Sequence, residues 1–224
     1  MEENLDQDII YSEKQVSILM ATEKLISEKG YAATSVRDIS QAAGINVAMI
    51  SYYFGSKEKL LEALFVYRIG SSRVLLQSLL DNTMLDPFQK LEVLVQNYVG
   101  KWLDNFSFFQ IMTREPAIKE VKEISKIVNA TKQRNQRMVA RLIEEGQANH
   151  FFKANVDVTL MMHTIMGTMM SVCNNTEYLK MIYNAEKMQN DEFIEMLRKK
   201  LNAHLYHMMK AALSLPEKNT EPTT

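Results

Sequence analysis

Apolar residues recur every three or four positions along most of the chain, and no stretch shows the sustained apolar-polar alternation of a β-strand. The first apolar stripe predicts a helix from about Ser12, a good N-cap, to Lys29, with Gly30 ending it. Further helices are predicted on either side of the polar segment 81–86 and of Pro116. The pattern indicates an all-α fold of about nine helices.

The segment 34–59 carries the clearest local signals. Ser35 and Asp38 are typical of a capped helix start, and Gly44 comes where that short helix must end. A second helix is predicted after the glycine, with Asn46 as its cap. Two short helices joined by a glycine-containing turn are typical of the helix-turn-helix, whose second helix lies in the DNA major groove. An ordinary helical hairpin is the alternative interpretation.

These residues, within GYAATSVRDISQAAGINVAMISYYFGSKEKLLEALF, resemble the DNA-binding domain of the TetR family of bacterial transcriptional regulators. The likeness covers roughly residues 12–66 and rests on Gly30-Tyr31, Thr34-Ser35, the Ala-Gly-Ile turn at 43–45, Tyr53-Phe54, Ser56-Lys57-Glu58 and Leu60-Leu61. It implies an all-α chain in which an N-terminal three-helix helix-turn-helix domain precedes a larger C-terminal helical ligand-binding and dimerisation domain.

We therefore expect four segments along the chain. They are a flexible arm over residues 1–11, the DNA-binding domain over 12–57, the effector-binding and dimerisation domain over 58–215, and a disordered tail over 216–224.

The resemblance and the chemistry of the DNA grooves indicate the same DNA-binding residues. Arg37 matches a position that reaches a base edge in the family, and arginine can bind guanine O6 and N7 with two hydrogen bonds. The first residues of the second helix are less polar than usual in the family and suit thymine methyl groups, while Ser51 stands where the family often has tyrosine. Ser35 can equally be only a cap, and Tyr53 only a core residue. The expected set is Thr34, Ser35, Arg37, Asn46, Val47, Ala48, Met49, Ser51, Tyr52, Tyr53 and Lys57.

The expectations about ligand and dimer come from the resemblance. It implies an effector cavity in the body of each subunit, with candidate wall residues Phe88, Trp102, Phe106, Phe109, Met112, Met138, Leu142, Met162, His163 and Met166. It also implies a dimer interface made by the last long helices, with candidate contacts Gly167, Met170, Met196, Leu197, Leu201 and Met208. A methionine or aromatic stripe at helical spacing is more often an ordinary core, and a satisfied core histidine is the favoured interpretation of His163.

Composition limits the alternatives. Net charge is −1, and residues 11–60 hold six Lys or Arg against five Asp or Glu, so charge alone does not indicate a nucleic-acid binder. Phosphates can still be held by hydroxyls, backbone amides and helix N-termini. A single cysteine, Cys173, excludes a disulfide framework and fits a reducing cytoplasm. No apolar run approaches the roughly 18 residues of a membrane span, which predicts a soluble cytoplasmic protein.

We expect a ligand-responsive repressor that binds a palindromic operator in double-stranded DNA as a homodimer and is released by a small apolar or amphipathic effector. An enzyme is disfavoured, because the sequence has no metalloprotease motif, nucleophile elbow or phosphate-binding glycine loop, and its four histidines are scattered. We expect no cofactor and no metal. A helical ligand carrier with a non-functional DNA-binding head is the second interpretation.

Overall fold

A computed structural model describes residues 10–70, 72–114 and 121–216. This part of the chain is helical, with a single isolated β-bridge between Phe152 and Ser214. The helices are α1 (Glu13–Lys29), α2 (Val36–Ala42), α3 (Val47–Phe54), α4 (Lys57–Ile69), α5 (Ser72–Asp81), α6 (Pro87–Asp104), α7 (Phe106–Arg114), α8 (Lys122–Ala148), α9 (Val158–Asn174), α10 (Thr176–Ile182) and α11 (Asn190–Leu213).

Short-range hydrogen bonds explain where most of the N-terminal helices begin. Ser12 and Ser35 each form a reciprocal capping box with the residue three positions later, as the sequence predicts. The side chains of Asn46 and Ser56 accept the first free amides of α3 and α4. Asp86 does the same for α6, whose first residue is the expected proline.

Helices α1 to α3 form a small bundle that α4 joins to the rest of the molecule. Ile18 of α1, Ile39 of α2 and Ile50 of α3 are buried and belong to the same hydrophobic cluster as Leu61 and Leu64 of α4. Helix α4 packs on α1 and α3 on one side and on α8 on the other. A movement of α4 therefore changes both the N-terminal bundle and the body.

The body is built around α6 and α8. Helix α11 packs along α6, α5 packs on α8, and α7 lies against α1 and α9. Phe65 of α4 meets Phe108 of α7 edge to face with ring centroids 4.9 Å apart, which places an aromatic contact at the junction with the N-terminal bundle. The buried apolar residues of both regions form one contiguous cluster.

The predicted all-α fold is confirmed, with two differences in detail. The eleven helices of the described residues exceed the nine or so expected, because α4 ends at Ile69 and α5 begins as a separate helix, and α10 follows α9 after a break. The second difference is that α9, although almost entirely apolar in sequence, leaves apolar residues in solvent, with Leu160 65% exposed in the single chain. Residues 1–9 of the expected arm (1–11), residues 217–224 of the expected tail (216–224) and Pro116 lie outside the described residues.

None of the helices within the described ranges combines the length and the apolarity that a membrane crossing needs.

Candidate DNA-binding surface and ligand cavity

The turn between α2 and α3 has the geometry predicted for a helix-turn-helix. Gly44 takes φ +66°, in the left-handed region where residues with a Cβ are strained. Its amide donates to the Gln41 carbonyl at 3.2 Å, and the Ile45 amide donates to the Ser40 carbonyl at 3.0 Å. The Asn46 side chain then accepts from the Ala48 amide at 2.9 Å. The turn thus fixes the direction in which α3 leaves α2.

One side of α3 is buried and the other is open to solvent. Ile50 is 1% exposed, whereas Tyr52 is 79% exposed and Val47 is 39% exposed. Ala48 and Ser51 are also exposed, and Met49 is half-buried. The residues expected to contact DNA bases therefore lie on the solvent-accessible side of α3, and Ile50 on the opposite side packs in the core.

Arg37 lies next to this face, in the first turn of α2, and is exposed. Asp38, its neighbour, accepts from Lys29 Nζ at 2.7 Å and from the Ser35 amide at 2.9 Å. These two contacts hold the pKa of the Asp38 carboxyl well below its usual range. The Asp38 carboxylate is thus bonded to the Ser35 amide at the start of α2 and to Lys29. The charged side chain of this turn that faces outward is therefore Arg37.

The structure corrects the expectation for two residues of the phosphate-contacting group. Thr34 is 1% exposed and its hydroxyl donates to the Gly30 carbonyl at 2.8 Å, so it serves the turn rather than the surface. Lys57 is half-buried, donates to the Tyr31 carbonyl at 2.6 Å, and lies 4.1 Å from the centre of the Tyr31 ring. Burial lowers the pKa of its ammonium. Sequence reasoning missed both roles because their partners lie in the α1–α2 connection.

Tyr53 is half-buried between its neighbours, with the ring centroid 5.2 Å from that of Tyr52 and 6.3 Å from that of Phe54. Ser35 is exposed and caps α2, as either interpretation allows. Both residues remain candidates for DNA contact, and both also have a structural role.

A cavity of about 210 Å³ lies in the body between α4, α5, α6, α7, α8, α9 and α11. Six of the ten predicted wall residues line it: Trp102, Phe109, Met112, Met162, His163 and Met166. Trp102 and Phe109 stack face to face with their ring centroids 3.9 Å apart, which makes one flat aromatic wall. The remaining apolar wall comes from Ile69, Leu75, Leu76, Leu94, Val95, Val128, Val139, Ile165 and Met209.

The other predicted wall residues pack elsewhere. Met138 and Leu142 are core residues of α8, and Phe106 is half-buried against the core. Phe88, also a candidate, meets Phe152 edge to face with centroids 4.9 Å apart. Helical spacing predicts that such residues are buried, but it does not tell whether a buried residue faces a neighbour or a void.

Sequence reasoning also missed the polar part of the lining. It consists of Asn97, Tyr98, Lys101, Thr131, Lys132, Asn135, Gln136 and Thr159. A polar row at helical spacing along the middle of α8 was the available signal, and it is equally typical of a solvated face.

Three of the polar groups have defined environments. Lys101 Nζ donates to the Ile69 carbonyl at 3.4 Å, and its burial, followed by the nearby charge of Arg134, lowers its pKa to about 8. Burial raises the pKa of the Tyr98 phenol. His163 Nδ1 lies 2.8 Å from the Thr159 carbonyl, so Nδ1 is the protonated nitrogen and Nε2 remains available. His163 is thus satisfied by its own helix while bordering the cavity, and it is exposed rather than a core residue.

The cavity and the N-terminal bundle meet at the end of α4. Ile69 belongs to the cavity wall, and the preceding residue, Arg68, donates to Glu23 of α1 at 2.6 Å. Arg68 also bonds Asn105, in the α6–α7 connection. Glu23 is 7% exposed, so this ion pair is largely removed from water. One short segment of α4 therefore contacts the cavity, the body and α1.

The predicted dimer contacts fall into two groups. Gly167 and Met170 are exposed on α9, in a row with Leu160 at helical spacing. Leu197 and Leu201 are 2% and 6% exposed, since they form the face of α11 that packs on α6. They are core residues of one subunit, and their assignment to the interface is wrong for this reason.

Met196 and Met208 of α11 are half-buried. Helix α10, which was not expected to contribute, exposes more apolar surface than α11: its exposed apolar residues are Tyr178, Met181 and Ile182, followed by Tyr183.

Metal and thiol chemistry find little support in the described residues. No group of three His, Cys, Asp or Glu within them is arranged to hold a metal ion. Cys173 is fully buried, and burial raises the pKa of its thiol to about 12, so it behaves as a small apolar core residue.

Comparison with known proteins agrees with this geometry. Residues 18–64 match the profile of the family described as "Bacterial regulatory proteins, tetR family". The chain is 29% identical over 151 residues to the HTH-type transcriptional repressor NicS of Pseudomonas putida, an alignment that covers 64% of this chain and 68% of NicS. The similar proteins are transcriptional regulators rather than enzymes.

Solved structures show the same fold over most of the chain. The fatty acid degradation regulator FadR from Bacillus halodurans superposes with a TM-score of 0.68 at 22% identity, covering 88% of this chain and 97% of that one. FadR from Bacillus subtilis, solved in complex with stearoyl-CoA, gives a TM-score of 0.62 at 18% identity over 85% of this chain and 97% of that one.

Proposed function

We propose that the chain, whose residues 18–64 match the tetR family of bacterial regulatory proteins, is a repressor that binds a palindromic operator as a homodimer and leaves it when a small apolar or amphipathic effector enters the cavity. The observation that carries this proposal is the end of α4, where Ile69 lines the cavity and Arg68 holds Glu23 of α1. The repressor name of NicS and the acyl ligand of the Bacillus subtilis regulator are consistent with it.

The DNA contacts follow from the exposed side of α3. Val47 and Ala48 present methyl groups suited to thymine, and Ser51 permits close approach of the helix to the groove floor. Arg37 supplies the hydrogen-bonding charge for a guanine. Tyr52, with its exposed hydroxyl end, and the exposed Ser35 contact phosphates.

A two-fold dimer is required because one α3 touches too few base pairs for useful selectivity. We place the interface on the exposed side of α9, around Gly167 and Met170, with apolar residues of α10 as additional candidates. A Cβ at Gly167 would meet no atom within 4 Å, so the exposed glycine leaves room for a partner's backbone. Symmetry then fixes the distance between the two copies of α3 and so the half-site spacing.

The effector releases the protein from DNA if it binds only to the conformation of the dimer that does not fit the operator. An effector pressing on Ile69 displaces the end of α4, and Arg68 transmits the displacement to α1 through Glu23. By linkage, DNA must weaken effector binding by the same factor as effector weakens DNA binding.

Selection of duplexes from a random DNA pool by the purified protein tests the DNA-binding part of the proposal. We expect enrichment of a palindrome, with affinity for the winner falling as salt rises. A folded, dimeric protein that enriches no sequence would refute the repressor proposal and favour the ligand-carrier interpretation. That interpretation has some support from Lys29 and Lys57, which are bonded within the N-terminal bundle.

Arg68→Met tests the coupling. The variant should keep operator affinity within a few-fold and lose most of the effector response, measured as operator affinity with and without effector. Arg198→Met is the matched control, because Arg198 pairs with Asp104 at 2.6 Å on the body surface, away from α1. Equal responses of the two variants would show that the Arg68 contact does not carry the coupling.

A further inference from the structure

The charged groups that line the cavity all have the same sign. Lys101 and Lys132 are the lysines of the described lining, and no Asp or Glu is among these residues. Most of the remaining wall is aliphatic, aromatic or methionine. A cationic ligand would find no counter-charge there, whereas an anion with an apolar body would find both a counter-charge and an apolar wall.

The two lysines differ in their surroundings. Lys132 is exposed, while Lys101 is half-buried beside Trp102 and Tyr98 and contacts the carbonyl of Ile69. Removal from water, together with the charge of Arg134, disfavours the charged form of Lys101 and brings its pKa down to about 8. An anion brought next to this ammonium would offset that penalty, which gives the half-buried Lys101 the larger share of the recognition.

We propose that the cavity binds a small amphipathic carboxylate, with the apolar body against Trp102, Phe109 and Met162 and the carboxylate on Lys101. This inference rests on the proposed role of the cavity as the effector site and adds the charge of the effector. The cavity volume of about 210 Å³ is below the roughly 300–1,000 Å³ of sites for drug-sized ligands. The ligand is therefore a short acid rather than a long one.

The position of Lys101 connects recognition to the response. Its ammonium contacts the carbonyl of Ile69, the last residue of α4, next to Arg68. A carboxylate that attracts this ammonium competes with the Ile69 carbonyl and so acts on α4 directly. A neutral ligand of the same shape fills the wall without this competition.

Three probes with one chain length test the charge requirement: octanoate, octan-1-ol and octylamine. Trp102 is the only tryptophan of the chain and lies in the cavity wall, so its fluorescence reports binding to the full-length protein, with calorimetry as an independent measure. At pH 7 we expect octanoate to bind at least about tenfold more tightly than the alcohol, and the amine to bind most weakly. Equal affinity for octanoate and octanol, or no binding by any of the three, would overturn the proposal.

Variants of the two lysines locate the carboxylate. Lys101→Met should abolish the preference for octanoate over octanol while keeping octanol affinity, and Lys101→Arg should restore most of the preference. Lys132→Met should keep it. If the preference disappears in Lys132→Met and survives in Lys101→Met, the carboxylate lies at the exposed lysine and the assignment to Lys101 is wrong.

Operator release is measured separately, so that the two proposals can fail independently. Octanoate that binds with the expected preference but leaves operator affinity unchanged would refute the effector response while the charge assignment stands. Release by octanol as strong as by octanoate at equal occupancy would refute the role of charge in the response.

Discussion

The α3 surface and the body cavity use similar residue types in opposite ways. On α3, apolar and hydroxyl side chains are exposed, while Ile50 is buried and anchors the helix. The nearby cations Lys29 and Lys57 bond Asp38 and the Tyr31 carbonyl within the N-terminal bundle. In the cavity, apolar side chains face an empty space, and a half-buried lysine, Lys101, borders it. The exposed face of α3 thus presents apolar and hydroxyl groups with few free charges, whereas the cavity places a lysine beside an apolar wall.

Replacing Ile50 by alanine should have the largest effect, because it removes the anchor of the exposed face. We expect a loss of about 2–5 kcal/mol in the free energy of unfolding, measured by urea denaturation. Since one hydrophobic cluster spans head and body, Trp102 fluorescence and far-ultraviolet circular dichroism should report the same transition. Two separate transitions would show that the head unfolds alone.

Val47→Ala is the matched control for this prediction. Val47 is 39% exposed on the same helix, so the variant should change stability by less than about 0.5 kcal/mol while weakening operator binding. An equal loss of stability in the two variants would contradict the assignment of buried and exposed faces.

Gly146→Ala should destabilise the body by about 3 kcal/mol, at the upper end of the usual cost of overpacking. A Cβ at this position would lie 2.1 Å from a ring carbon of Phe152, which is itself packed on Phe88. The thermal transition measured by circular dichroism should fall accordingly. A small effect at Gly146 would mean that the Phe152 ring can move aside.

Gly167→Ala is the matched control. The added Cβ meets no atom within 4 Å, so the variant should not destabilise the subunit, and it should weaken dimerisation if α9 forms the interface.

Lys101→Met should stabilise the protein at neutral pH. The pKa of Lys101 is about 8 in the folded state against an ordinary 10.5, so the unfolded chain binds more protons between these values and the wild type gains stability as pH rises through them. Below about pH 8 the lysine is charged in both states and the wild type carries the full cost of burying that charge, on the order of 3 kcal/mol, which the methionine variant does not carry. The advantage of the variant should shrink between pH 8 and 10.5 in urea titrations, whereas Lys132→Met should show no such trend. A constant difference would contradict the burial of Lys101.

Asn46→Ala should have the smallest effect, about 1 kcal/mol, because it removes the side-chain oxygen that accepts the Ala48 amide at the start of α3. Asn46→Gly should cost only a few tenths of a kcal/mol, since glycine tolerates the capping position. Both are measured by thermal unfolding. If the alanine variant is as stable as the wild type while its operator affinity falls, Asn46 contacts DNA in addition to capping.

Local signals predicted the head more completely than the body. Ser35, Gly44 and Asn46 have the roles that their positions indicate, because capping and left-handed turns depend on residues within about four positions. In the body, periodicity identified the apolar faces but could not separate Trp102, which lines the cavity, from Leu142, which packs in the core.

The sequence alone determined the all-α class and the position of the helix-turn-helix, because caps, turns and helical periodicity are short-range properties. Only the tertiary structure decided which buried residues surround a void, that Lys57 turns inward, that Leu197 and Leu201 belong to the core, and that Lys101 borders the cavity beside Ile69. These outcomes depend on how helices distant in sequence pack together, and the free energy of that packing is shared among many contacts that no short segment encodes.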